Sequence, residues 1–343
     1  MSVQIKIEES NFKHWNKDLN SFYYSLFITP EWIEAAADKN HTPVYLDFFQ
    51  NDIKIGKISG LVIKRNKSKS YLYFYAGPAL KELNEKIFNK CLDSLYRYAK
   101  KNSYSMVSLS SFDNRHSMKY KGYKYTVTKR VEFVVPLKAG INSIKISNRF
   151  RRNIKKGEKF EPVIKRSTNI STLNNLYNLL DETKKTRISK YKTDYQPFYL
   201  TNLNKNTIQK LVTSGFAKMH YTIKNNSIDC IELNLEKDKY VYMLLKGSNE
   251  KGYRSGMSAY LSYSLINEYI KNGYYTYNQG GRPLTSDGDG LEIFKKSMGA
   301  EKIIVYSAVS NFLTYPHRLL NPFMLILQLL PKSLVYYIKK RFW

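Results

Sequence analysis

The chain has 343 residues, 43% of them hydrophobic, with 56 Lys and Arg against 28 Asp and Glu and a net charge of +28. That apolar fraction supports one or two packed cores and excludes wholesale disorder. Two cysteines, and five histidines without ligand spacing, exclude a disulfide framework and a His/Cys metal site. The basic excess points to anionic partners: nucleic acid, a phosphorylated substrate or an acidic membrane surface.

The opening MSVQIKIEESNFKHW shows no apolar core of a signal peptide, and no clean run of eighteen apolar residues predicts a spanning helix. A reducing, cytoplasmic setting is the expectation. In chain order, Thr29 with Pro30 at the first helical position starts a short helix. Two β-rich runs flank Asn51-Asp52 as a hairpin, and YLYFYAGPAL is an aromatic strand closed by Gly77-Pro78. Apolar residues at Leu83, Ile87, Phe88, Cys91, Leu92, Leu95 and Tyr98 have helical spacing, and Asn102 ends that helix. SYSMVSLSSF and KYKGYKYTVTKRVEFVVPL read as further strands.

The second half repeats this order. STLNNLYNLLDETKKTR and NKNTIQKLVTSGF are helices. A three-stranded meander turns at Asn225-Asn226 and at Lys237-Asp238. GMSAYLSYSLINEYIKNG is a helix ended by Gly273, then come a strand at Tyr274 to Tyr277, a short helix through Phe294 to Ser297 and a last strand, AEKIIVYSAVS. The halves read as a diverged duplication of one α/β unit. Domain limits of 1–140, 141–310 and a tail at 311–343 follow.

Between the halves, Lys145 to Lys159 holds seven basic residues and one acid, Glu158. Ile144, Ile146, Phe150 and Ile154 give it an apolar side and Gly157 an end, so it reads as a basic amphipathic helix facing either solvent or an anion. The tail is almost wholly apolar from Leu319 to Leu330, bracketed by Pro322 and Pro331, and finishes with Lys339, Lys340, Arg341, Phe342 and Trp343. It reads either as an interfacial membrane segment or as helices packing back on the second domain.

NQGGRPLTSDGDGLEIFKKSMGAE, residues 278–301, concentrates the unusual residues. A calcium loop starting at Asp287 would have Asp289 at position 3 but Leu291 at position 5 and Met298 at position 12, which excludes it. Neither a Walker loop nor G-x-G-x-x-G is present. What remains is a strand ending in Asn278-Gln279-Gly280-Gly281, a flexible Asp/Gly loop and a helix starting at Gly290-Leu291. Glycines past a strand allow close approach of a ligand to backbone.

SNRFRRNIKKGEKFEPVIKR resembles the basic R-x-x-I-[RK]-K-x-x-K stretch of the FemAB-type transferases. The step helix–Gly273–strand–NQGG resembles their helix–G–strand–D-x-G-G. GLEIFKKSMGAE resembles their G-[LI]-x-x-F-K-x-x-[FM]-G-[GA], and TPEW with a hairpin and YAGP resembles their first fold. The likeness spans Phe27 to Val309. It departs at Asn278, where the pattern has Asp, and at KGYRSGMSA, which only partly matches the acetyl-CoA loop of ordinary N-acetyltransferases (GNAT).

This resemblance implies an α/β (α+β) fold of two tandem GNAT-like mixed-sheet domains with a C-terminal helical tail. It implies transfer of an acyl or aminoacyl group to an amine or hydroxyl of a cell-envelope precursor, such as a peptidoglycan or polysaccharide intermediate. The co-substrate is acyl-CoA or aminoacyl-tRNA, with no permanently bound cofactor. The partners implied are an anionic, phosphorylated or lipid-linked saccharide, tRNA, and the inner face of the cytoplasmic membrane through 312–343. Lys295 is the candidate for stabilising charge at the reacting carbonyl or phosphates, with Asp287 and Asp289 the nearest carboxylates for base work. Arg149, Arg151 and Arg152 are candidates for a substrate phosphate, Tyr253 and Arg254 for the donor. Asn278, Gln279, Gly280, Gly281 and Arg282 line the strand end. The alternative reading is a non-catalytic protein that binds nucleic acid or a membrane surface on the same scaffold.

Overall fold

The computed structural model describes residues 5–66, 69–191, 196–282, 286–315 and 317–322. The chain divides into two compact units. One comprises residues up to Tyr24, Asp38–Lys129 and those from Tyr306 onward. The other comprises Ser25–Ala37 and Arg130–Val305.

In the first unit, β1 (Lys6–Glu9) and α1 (Phe12–Lys17) lead to the hairpin of β2 (His41–Gln50) and β3 (Ile53–Asn66). Asn51 and Asp52 hold φ of 49° and 60° there, as a tight two-residue turn requires. The helix α2 (Pro30–Ala35), with Thr29 as its N-cap and Pro30 at its start, belongs to the second unit. β4 (Lys69–Phe74) and the short β5 (Ala79–Leu80) pair with β3. Asn84 caps α3 (Glu85–Lys101) by accepting from the Lys86 amide at 2.8 Å. Phe88, Cys91, Leu92, Leu95 and Ala99 of α3 pack on Leu46, Phe48, Ile58, Leu72 and Phe74 of the sheet. β6 (Val107–Leu109) runs parallel to β4.

The second unit contains the end of one long strand, β7 (Tyr125–Pro136), then α4 (Asn148–Glu158), β8 (Val163–Ser167), α5 (Ile170–Tyr191) and α6 (Lys205–Thr213). The meander follows as β9 (Ala217–Lys224), β10 (Ser227–Lys237) and β11 (Tyr240–Ser248). Then come α7 (Glu250–Arg254), α8 (Met257–Lys271), β12 (Thr276–Asn278), α9 (Ser286–Ser297) and β13 (Glu301–Ser310). The last residues of β13 belong to the first unit, where Ala308 and Val309 pair with Leu109 and Ser108. In the second unit the strands lie in the order β7-β12-β11-β10-β9-β8.

The duplication is visible in both units: an antiparallel meander, a helix, then a strand parallel to the meander's third strand. β4, α3 and β6 stand in the first unit as β11, α8 and β12 stand in the second. Three local expectations are corrected. The second meander turn is Asp238-Lys239, because Lys237 still pairs with Tyr240 and it is residues 238 and 239 that adopt positive φ. Gly157 is not a helix stop: α4 runs on to Glu158, and Gly157 is buried where α4 crosses α8. The helix α9 begins at Ser286, so Asp287 and Asp289 lie in its first turn, where the helix dipole favours acids, and not in a loop. The expected loop shrinks accordingly; residues 283–285 and the tail beyond 322 lie outside the described residues. Among those described, no helix is long and apolar enough to cross a membrane.

Candidate functional site

β11 and β12 are parallel neighbours over only three pairs, Tyr240–Thr276, Val241–Tyr277 and Tyr242–Asn278. Beyond Tyr242, β11 continues to Ser248 alongside β10, while the chain leaves β12 toward Gly280. At the parting, β11 carries a bulge: Leu245 faces Leu233 and Met243 faces Asn234, so Leu244 is the extra residue. A bulge turns backbone groups out of the ladder, and the carboxyl end of a parallel pair is where α/β sheets receive ligands.

The end of β12 is held by charge. Asn278 is buried and donates Nδ2–H to Glu132 Oε2 at 2.9 Å, while its Oδ1 accepts from the Gly280 amide at 2.8 Å. Glu132 is fully buried on β7, and its Oε1 accepts from the Arg130 guanidinium at 2.7 Å. Gly280 has φ of +67°, and a Cβ there would lie 2.8 Å from the Tyr242 hydroxyl. A Cβ on Gly281 would lie 2.9 Å from the Val131 carbonyl oxygen. Close approach thus requires both glycines, and at Gly280 the backbone conformation does so as well. Tyr242 is buried edge-on to Phe27, at 4.7 Å between ring centres. Its hydroxyl is enclosed, and burial raises its pKa well above that of a free phenol, so it stays protonated at neutral pH; Tyr199 stands beside it with about half of its surface exposed.

Lys295 reaches this strand end from α9. It is buried, and its Nζ donates to the carbonyls of Gln279, Gly280 at 3.2 Å and Gly281 at 2.6 Å. An ammonium has three protons, and three carbonyls take them. Burial pulls its pKa down to about 7, with Glu132 opposing and Arg130 and Arg187 adding to the shift.

A second polar cluster lies beneath α8. Glu232, Asn234 and Glu236 alternate onto one face of β10 and are all buried. Glu232 accepts from Tyr277 Oη at 2.6 Å and Ser262 Oγ at 2.5 Å and pairs with Lys246 at 2.7 Å. Glu236 binds His220 Nε2 and Tyr269 Oη at 2.7 and 2.9 Å and Lys218 at 3.1 Å. Burial would raise the Glu236 pKa, but His220 and Lys218 outweigh it and hold the carboxyl at about 2. These groups tie β9, β10, β11, β12 and α8 together.

The structure therefore brings Asn278, Gln279, Gly280, Gly281 and Lys295 to one place and leaves the other sequence candidates elsewhere. Arg282 is a brace, pairing with Asp289 at 3.0 Å and Glu292 at 2.6 Å. Asp289 is exposed and engaged in that brace, and the side chain of Asp287 lies outside the described residues. Arg149, Arg151 and Arg152 project from α4 into solvent. Tyr253 and Arg254 close α7 and do not open α8, and Arg254 pairs with Glu250 at 2.6 Å.

The start of α8, where a coenzyme A pyrophosphate would need free amides, is closed by α4. A Cβ on its N-cap Gly256 would lie 2.2 Å from the Asn153 carbonyl oxygen, and one on Gly157 would lie 2.8 Å from the Gly256 carbonyl. An oxygen-lined, glycine-tight crossing does not fit a pyrophosphate. Arg130, Glu132, Tyr199 and Tyr242 were missed by sequence reasoning. The one available signal was Glu132, a lone acid inside the apolar run VEFVV.

No protein-family model and no curated protein matches the chain. Solved structures do. A structure of FemX superposes with a TM-score of 0.66 at 14% identity, covering 88% of this chain and 96% of that one. L-PGS from Bacillus licheniformis gives 0.55 at 16% identity over 88% and 92%. A conserved protein of unknown function from Bacteroides thetaiotaomicron gives 0.58 at 11% identity over 90% and 100%. The chain is thus built on the FemX-like fold of two GNAT-like units in tandem.

Proposed function

We propose that the protein transfers an acyl or aminoacyl group from an activated donor to an amine or hydroxyl of a cell-envelope precursor. The observation that carries this reading is the parting of β11 from β12 at Tyr242 and Asn278, beside the Leu244 bulge, in a fold shared with FemX. Attack on an activated carbonyl places negative charge on its oxygen, which needs fixed donors. The protonated hydroxyls of Tyr199 and Tyr242 and the backbone of the bulge supply them. Arg130, steadied by Glu132, faces the anionic part of the acceptor. Lys295 acts through the carbonyls of Gln279, Gly280 and Gly281, which it holds, so its contribution is to shape the strand end.

Closure of the α8 start by α4 favours aminoacyl-tRNA over acyl-CoA as donor. The acceptor is an anionic, phosphorylated or lipid-linked saccharide. Peripheral attachment to the inner face of the membrane through 312–343 would bring the enzyme to it; within that segment Leu319 and Leu320 are exposed, while Phe312 and Leu313 are buried. The test is direct. Purified protein is incubated with aminoacyl-tRNA or acyl-CoA and with nucleotide- or lipid-linked envelope precursors, and products are read by mass. A mass gain dependent on aminoacyl-tRNA, lowered about 10²-fold in kcat by Tyr242→Phe, is expected. No gain with any donor would leave the non-catalytic reading.

A further inference from the structure

Past β12, α9 holds the chain at four successive residues. Lys295 takes the carbonyls of Gln279, Gly280 and Gly281. The next residue, Arg282, is held by its side chain: Nε lies 2.6 Å from Glu292 Oε2, and Nη1 donates to Asp289 Oδ1 at 3.0 Å. Glu292 and Lys295 are three positions apart, so they leave α9 within about 60° of one another and address the same stretch of chain. That stretch borders the parting of β11 from β12, where a Cβ on Gly280 would lie 2.8 Å from the Tyr242 hydroxyl.

Glu292 is the hub of this arrangement. Its Oε1 also receives Lys296 Nζ at 2.8 Å and Lys302 Nζ, from the start of β13, at 3.2 Å. The hydrogen bond from Lys296, helped by Lys302, holds the Glu292 carboxyl at about 2, so it is charged throughout the neutral range. The side chain of Glu292 is 14% exposed and that of Asp289 73%, so water screens the second contact to Arg282 far more than the first.

An isolated exposed ion pair would fix little. Here Arg282, Lys296 and Lys302 converge on one open recess of about 300 Å³ that holds two acids, Asp289 and Glu292. Take away the charge of Glu292 and the three cations repel one another. Lys296 and Lys302 are rooted in α9 and β13, whereas Arg282 follows the strand end directly. Arg282 is therefore the cation that gives way, and the strand end moves with it.

We infer that Glu292 is a positioning residue for the candidate site: through Arg282 it sets where the Gly280–Gly281 backbone lies against Tyr242. This role rests on the transfer reading of that strand end.

Amide hydrogen exchange and transfer kinetics are measured on the full chain for Glu292→Gln, Arg282→Gln and Lys302→Gln. Glu85→Gln, which breaks the Glu85–Lys121 pair in the first unit, is the control for lost charge. The Gln279 and Gly280 amides report on the strand end, since they donate to the Phe133 carbonyl and to Asn278 Oδ1, both at 2.8 Å. Glu292→Gln and Arg282→Gln are each expected to speed exchange at these two amides at least about tenfold, with β10 amides changed less than about twofold. Lys302→Gln leaves the contact to Arg282 in place and, like Glu85→Gln, should leave both amides unchanged. In the transfer assay Glu292→Gln should lower kcat about tenfold and shift KM less than about twofold, because the Tyr242 hydroxyl acts on charge that forms in the transition state. Exchange at the two amides that is unmoved, spread evenly over the second unit or matched by Lys302→Gln would overturn the inference, as would an unchanged kcat. The exchange measurement needs no turnover, so the two readings fail separately. Transfer with unmoved exchange removes Glu292 alone; local acceleration without transfer from any donor keeps Glu292 as the holder of the strand end and removes the transfer reading.

Discussion

The ammonium of Lys295 lies 2.6 Å from the carbonyl oxygen of Gly281, and the carbonyls of Gln279 and Gly280 take its other protons. The lysine that the sequence presents as a catalytic candidate is thereby committed to the backbone. Lys295→Met leaves three carbonyls without their donor and is expected to cost about 2–4 kcal/mol of stability. Urea unfolding measures this. A change below about 0.5 kcal/mol would mean that the three contacts are not made in solution.

Asn278 stands where the FemAB-like pattern has Asp, and the structure supplies the reason. Its amide donates to Glu132, which a carboxylate cannot do. Asn278→Asp sets two carboxylates against each other in a buried site, which raises the pKa of the pair. Stability should fall by about 2–4 kcal/mol at neutral pH and recover as acid protonates one of the two. Unfolding midpoints at pH 7 and pH 5 compare the two conditions, and a variant equally stable at both contradicts the assignment.

Gly256 combines a φ of +81° with a Cβ position 2.2 Å from the Asn153 carbonyl oxygen. Gly256→Ala must strain the backbone and also separate α4 from α8, at a cost of about 2–4 kcal/mol. Gly215→Ala has the strain without the collision, since nothing lies within 4 Å of its Cβ position. It should cost about half as much or less. Similar losses in the two variants would show that the helix crossing is not tight.

The Glu236 carboxyl is held at about 2 in the folded protein, against 4.5 for an unperturbed Glu. Its contribution is therefore complete above about pH 4.5 and is lost as pH falls toward 2, amounting to about 3 kcal/mol. Glu236→Gln should lower stability at neutral pH, by breaking a buried ion pair, and flatten the curve in that acid window. Curves for the two proteins that stay parallel down to pH 2 would remove Glu236 from the acid response.

The order of elements was legible because it rests on local signals: Asn51-Asp52 for a turn, apolar spacing along α3 with Asn102 at its end, and Gly273 after α8. The repeat was legible for the same reason. The site was only half legible. Glycines at 280 and 281 announce themselves, but Glu132 and Tyr242 are brought beside them by strand pairing across about 146 and 38 positions of chain. No local pattern encodes such a meeting. Gly157 misled for a related reason: a helix-stopping residue in sequence is, in three dimensions, the only residue small enough for α8 to pass.

That crossing also determines how load is carried. With carbonyl oxygens of each helix seated against a glycine of the other, α4 and α8 cannot slide past one another. Lys246 of β11 is bonded in turn to the Ser258 carbonyl at 3.0 Å and the Ser262 hydroxyl at 2.6 Å on α8. The crossing and these two bonds thus join α4, α8 and β11 into one packed unit beside the candidate site.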